Sequence, residues 1–118
     1  MKKTLYIIMC GLMLAACSNR HKASSSIEAF LTENLANPEF KTEYITMDST
    51  RKLKDSVIVA LQQQASADKA FKRNIRWEKP TDGKYIFVRM KVIQQQDTAV
   101  RTFYLNPEMT AVVALKQN

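Results

Sequence analysis

From Lys84 onward the chain has few ways to fold. Lys84 to Gln94 (KYIFVRMKVIQ) is dense in β-branched and aromatic residues, which fit a pleated, half-buried surface. Pro80-Thr81-Asp82-Gly83 before it is the strongest turn signal in the sequence. Gln95-Gln96-Asp97 reads as a loop, Thr98 to Leu105 (TAVRTFYL) as the returning strand, Asn106-Pro107-Glu108 as a second turn and Thr110 to Leu115 (TAVVAL) as a closing strand. Strands joined by such short turns pair antiparallel, because a parallel connection needs a dozen or more residues. A meander of this kind has one apolar face that must be covered.

Upstream segments supply the cover. Ser25-Ser26-Ile27-Glu28 has the form of a capping box, with Ser25 as N-cap and Glu28 three residues on. Ile27, Phe30, Leu31 and Leu35 follow at helical spacing, and Asn37-Pro38 stops the run, which predicts a helix over about Ser26 to Ala36. Glu39 to Asp48 (EFKTEYITMD) is a strand candidate whose alternation is imperfect. Leu53, Val57, Ile58, Leu61, Ala65, Phe71 and Ile75 predict a second, longer amphipathic helix, from Thr50 or Asp55 to Arg73. Ile75 and Trp77 alternate with Arg76 and Glu78 as a short strand. The expected architecture is α+β: an N-terminal helix and a second, longer helix packed on one face of a curved antiparallel sheet of four to five strands.

Turn length decides the faces. With Gln95 to Asp97 as the loop, Ile86, Val88, Met90 and Val92 share a side with Val100, Thr102 and Tyr104, then with Ala111, Val113 and Leu115. This is the expected core face, completed by Phe30, Leu31, Leu35, Leu61 and Phe71. The other face then carries Tyr85, Phe87, Arg89 and Lys91 beside Arg101, Phe103 and Leu105. A slip of one residue would invert the pairing.

The N-terminus reads as an address. Lys2 and Lys3 precede an apolar stretch, Leu5 to Ala16, of 12 residues. A spanning helix needs about 20, so the stretch is a secretory signal. It ends in Leu14-Ala15-Ala16-Cys17, which resembles the lipobox of bacterial lipoproteins. The resemblance implies cleavage between Ala16 and Cys17 and lipid on Cys17, and thus a palmitate-type anchor in the cell envelope, on the outer membrane facing the periplasm. Residues 1–16 are then a lipoprotein signal peptide, 17–24 a lipidated polar tether and 25–118 a single domain. Cys10 leaves with the signal and Cys17 is consumed by lipid, so the domain keeps no cysteine for a disulfide, a zinc ribbon or a nucleophile.

Little is left for catalysis. His21 is the only histidine and lies in the tether, so no Ser-His or Cys-His pair forms within the domain. Glu39, Glu43, Asp48 and Asp82 read as solvated carboxylates. With Gly 2 and Pro 3 there is no Gly-rich phosphate loop. The expectation is a non-enzymatic domain with no cofactor and no metal. Charge says more. Without Lys2 and Lys3 the chain keeps 16 Lys and Arg against 11 Asp and Glu, a balance of +5. Lys69 to Lys91 alone holds eight cations against Glu78 and Asp82. Such a patch attracts anionic partners, and Arg76, Lys84, Arg89, Lys91 and Arg101 are the candidate contacts. Given the address, the expected partners are the membrane through Cys17 and an envelope protein or an anionic glycan or lipid, with no nucleic acid. Trp77 beside Arg76 and Lys79 reads either as an aromatic-cationic contact or as the cap of a core.

The order Phe30-Leu31, Asn37-Pro38-Glu39-Phe40, Lys84 to Val92 and Thr102 to Val113 is similar to cystatin-like and nuclear-transport-factor-like α+β domains, in which a meander cradles an N-terminal helix. It also resembles small single-domain lipoproteins of the Bacteroidota. Many of these lipoproteins have no assigned role, and the expectation for this chain is a binding or accessory module. The alternatives are a small-ligand pocket of the nuclear-transport-factor-like kind and an inhibitor or accessory subunit of a secreted enzyme.

Overall fold

The computed structural model describes residues 19–50, 53–72, 75–80, 84–95 and 97–117. Ala16 and Cys17, with the cleavage and lipidation expected there, lie outside the described residues, as do 81–83 of the Pro80–Gly83 turn. The protein is α+β. Residues 19–34 are helical (α1). β1 (Lys41–Thr50), α2 (Asp55–Ala67), β2 (Tyr85–Ile93), β3 (Thr98–Leu105) and β4 (Val112–Gln117) follow. The strands form one antiparallel sheet in the order β1-β2-β3-β4.

α1 is longer than its sequence signature. The helix already covers 19–24, and Ala23 is fully buried. The polar run up to Ser24 is therefore helix there rather than extended tether, and Ser25 is an interior residue rather than the N-cap. Ala23, Ile27, Phe30 and Leu31 recur at helical spacing and form the buried stripe. Fully burying Ile27 and Leu31 stabilises the fold by about 1.5–3 kcal/mol each. Ser26 Oγ donates to Met109 O at 2.6 Å, tying α1 to the β3–β4 turn. Thr42 Oγ1 donates to Glu28 at 2.8 Å, tying it to β1.

α2 is shorter than expected and is not the longer helix. It spans 13 residues and stops at Asp68, well before Arg73. Asp68 Oδ1 accepts the Ala70 N–H at 2.9 Å, offering the backbone a turn in place of another helical bond. The chain then lies against the end of α1. Ala36 N–H donates to Ala70 O at 2.9 Å, Lys72 N–H donates to Asn34 O at 2.8 Å, and Leu35 and Phe71 form an isolated antiparallel bridge. Ile75 to Glu78 is not a strand, so the sheet has four. That segment packs on the helices: Trp77 Nε1 donates to Ser66 Oγ at 3.3 Å, and its ring lies 5.3 Å from that of Phe30.

The β2–β3 hairpin sets the faces. Ile93 pairs with Thr98, and Gln94 and Asp97 exchange N–H···O bonds of 2.8 and 3.3 Å. The strands therefore close between Gln94 and Asp97, one residue sooner than the expected loop of Gln95–Asp97. Because side chains alternate with period two, the one-residue shift turns β3 over. Val88 stands opposite Phe103, and Met90 opposite Arg101. Phe103 and Leu105 consequently point into the main core with α1, and Tyr104 points to the other side. A bulge between Tyr104 and Leu105 sends Val112 into the core under α1 and Val113, expected there, into the buried cluster on the opposite face.

The helices do not lie side by side on one face of the sheet, although Ala65 near the end of α2 reaches the core under α1. α1 covers Val88, Met90, Phe103, Leu105 and Leu115. Ile58 of α2 packs instead with Tyr85, Tyr104, Val113 and Ala114, in a second cluster on the opposite face. Gln62 of α2 donates to Val113 O at 2.9 Å, satisfying a β4 carbonyl. Phe103 is fully buried, so Phe103→Ala should cost about 3–5 kcal/mol. Urea unfolding checks this; a loss below about 1 kcal/mol would return Phe103 to the solvent side.

Candidate anion-binding face

The five cations singled out by the sequence do not converge. Arg76 is exposed on the segment between α2 and β2, and Lys84 is exposed just before β2. Lys84 lies about 20 Å along the strand from Lys91. Arg89 and Lys91 do share a face, the side of β2 away from α1, and Arg89 is exposed.

Arg101 belongs to the interior. Turned over with β3, it is 5% exposed. Its Nη1 donates to Asp68 Oδ2 at 3.1 Å, and its guanidinium carbon lies 5.0 Å from the Phe71 ring centroid. This flat cation is satisfied by a carboxylate on one side and an aromatic face on another. Asp68 thus does two jobs: Oδ1 turns the chain at the end of α2, and Oδ2 neutralises the one buried arginine among the described residues. The expected pairing of Arg101 with Arg89, Lys91 and Phe103 on an open surface fails on the hairpin register.

The residue that takes its place is Lys116. Thr102 pairs with Arg89 on one side and Lys116 on the other. Arg89, Thr102 and Lys116 therefore form one row across three strands, with the two cations about 10 Å apart at the backbone. Lys91 stands in the adjacent row, opposite Val100. It meets Glu43 at 3.6 Å, with the Lys91 side chain 40% and the Glu43 side chain 61% exposed. Sequence reasoning passed over Lys116 because the predicted strand ended at Leu115. The signal was the alternation of the last strand itself, since the residue after an inward Leu115 must face the other way.

Two open clefts lie at the other end of the same hairpin. One, of about 370 Å³, is lined by Ala36, Asn37, Lys69, Ala70, Gln94, Gln95 and Asp97. Another, of about 320 Å³, is lined by Glu39, Phe40, Lys41, Ile93, Gln94 and Gln95. Gln94 and Gln95 line both, and Gln94 Nε2 donates to Asn37 O at 3.0 Å. The space between α1 and the sheet is filled by Ile27, Leu31, Val88, Met90 and Phe103. Glu39, Glu43 and Asp48 are exposed along β1 and the turn before it. Among the described residues no three of His, Cys, Asp or Glu are grouped so as to hold a metal ion.

Comparison with protein-family models, curated proteins and solved structures gives no match for the chain.

The two ion pairs should differ sharply in worth. Breaking a buried pair leaves an uncompensated charge, at about 3–5 kcal/mol when both partners are buried. The Asp68 side chain keeps 26% of its surface in water, against 6% for Arg101, so Asp68→Ala should cost about 2–3 kcal/mol. Glu43→Ala, at the exposed pair with Lys91, should cost less than about 1 kcal/mol. Equal losses in melting experiments would contradict the burial of Arg101.

Proposed function

We propose that the protein is a lipid-anchored lipoprotein of the cell envelope, held at the outer membrane facing the periplasm, whose domain is a non-enzymatic binding or accessory module. The observation that carries the anchoring is Leu14-Ala15-Ala16-Cys17 behind Lys2-Lys3 and a 12-residue apolar stretch. The small side chains admit a peptidase and the thiol accepts the diacylglyceryl group. One acyl chain holds a protein marginally and two hold it stably. Residue 19 is already helical, two positions after Cys17. An anchored domain of this build would sit close against the bilayer.

The partner is anionic on this reading: a glycan, a lipid headgroup or the acidic surface of an envelope protein. The support is the row of Arg89 and Lys116, exposed on either side of a buried Thr102, with Lys91 beside it, on the sheet face away from α1. Arg76 and Lys84 lie apart from this row and contribute at most to the overall field.

Mass spectrometry of the mature N-terminus should find diacylated or triacylated Cys17, and Cys17→Ser should release the protein from membranes. A wild-type N-terminus elsewhere, or soluble secretion, contradicts the anchor. The binding half is tested separately on a heparin matrix. Retention should fall as salt rises, since exposed charges are screened over about 10 Å at 0.1 M. Arg89→Glu with Lys116→Glu should remove it while stability changes by no more than about 0.5 kcal/mol. Salt-insensitive elution of the wild type would make these cations solubilising only.

A further inference from the structure

The two edges of the sheet are treated differently. β4 is covered, with Gln62 of α2 bonded to the Val113 carbonyl. β1 is the other edge, ten residues long, and among the described residues no strand pairs with its outer side. Such an edge presents a row of backbone donors and acceptors to any strand that fits it. At its centre the register breaks between Tyr44 and Thr46, which leaves Ile45 as the extra residue. Ile45 is 46% exposed, a large apolar side chain at the middle of an open edge.

We infer that β1 pairs antiparallel with β1 of a second copy of this chain, about a two-fold axis between Tyr44 and Ile45, to give one continuous eight-stranded sheet. The bulge makes the strand complementary to itself. Residues 41 and 48 are seven apart and would point to opposite faces of a regular strand. The extra residue at Ile45 puts both on the face away from α1: Lys41 pairs with Ile93 and Asp48 with Phe87, six residues apart on β2. A register centred between Tyr44 and Ile45 sets Lys41 against Asp48 of the second copy, Thr42 against Met47 and Glu43 against Thr46. Each pair shares a face. The Lys41–Asp48 contact occurs twice by symmetry, and opposite charges directly across a strand pair attract.

The placement of α1 fits the same axis. The Arg20 guanidinium carbon lies 4.2 Å from the centroid of the Tyr44 ring, so the described start of α1 is close to the middle of β1. A two-fold axis perpendicular to the sheet keeps both α1 helices on one side. Both chains then enter from that side near the axis, and Arg89, Lys91 and Lys116 of both copies face the other way. The competing view treats Lys41, Glu43, Asp48 and the bulge as guards against edge pairing.

Sedimentation equilibrium of the chain in detergent, at micromolar concentration, separates the two. Pairing predicts a monomer–dimer equilibrium that Ile45→Asp abolishes. Lys41→Asp and Asp48→Lys should each weaken the dimer about tenfold or more, since each converts two attractive contacts into repulsive ones. The double variant should restore it. Far-UV circular dichroism unchanged across the series shows that the monomer fold is intact. A wild type monomeric throughout overturns the inference, as does a dimer indifferent to Ile45→Asp. Single swaps without effect, or a double variant that does not recover, overturn the register. None of these outcomes depends on lipid at Cys17.

Discussion

The closure of the β2–β3 hairpin governs the rest of the molecule. Gln94 and Asp97 bond to each other across a two-residue loop, and Ile93 meets Thr98 behind them. From that point every side chain of β3 has its side assigned. Phe103 and Leu105 go under α1, where both are fully buried. Tyr104 goes to the cluster under α2. Arg101 goes inward as well, and the structure has to answer a buried cation. Asp68 provides the answer at 3.1 Å, and the same residue ends α2 and turns the chain so that Phe71 reaches Leu35. One turn thus couples the sheet, the length of α2 and the packing of the link between α2 and β2.

What the sequence made legible divides along local and non-local lines. β2 and β3 were readable because their residues are strongly β-forming and their boundaries are marked by turn residues. The N-terminal helix was readable from Ile27, Phe30 and Leu31, but its extension over 19–24 was not. Those residues are polar, and only burial of Ala23 against the rest of the domain reveals the helix there. The imperfect alternation of β1 had a physical cause, the extra residue Ile45, which a strict period of two cannot express. The end of α2 was missed because its apolar spacing continues to Phe71 and Ile75. The spacing is real, but those residues pack from extended chain.

The site was less legible than the fold. A basic segment was plain in the sequence, yet charge composition carries no register. Arg89 and Lys91 kept their expected face because both sit on β2. Arg101 lost it through a single residue of loop length, whereas Lys116, on the far face after the inward Leu115, was missed only because the expected strand stopped one residue short. The two halves of the domain also carry different requirements. The α1 side is closed by packing, whereas the far side is only partly covered by α2 and keeps its cations in water. α1 and the exposed cations Arg89 and Lys116 lie on opposite sides of the sheet, and the open β1 edge lies between them.

Cross-strand Hα–Hα nuclear Overhauser effects in the β2–β3 hairpin measure the register most directly. Gln94 and Asp97 are a hydrogen-bonded pair, so the close, non-hydrogen-bonded pairs follow in alternation. Strong effects are expected between Phe87 and Tyr104, Arg89 and Thr102, and Lys91 and Val100. Strong effects between Arg89 and Phe103, or between Lys91 and Arg101, would mean a three-residue loop. That result would return Arg101 to the surface, empty the core of Phe103 and contradict the fold as described.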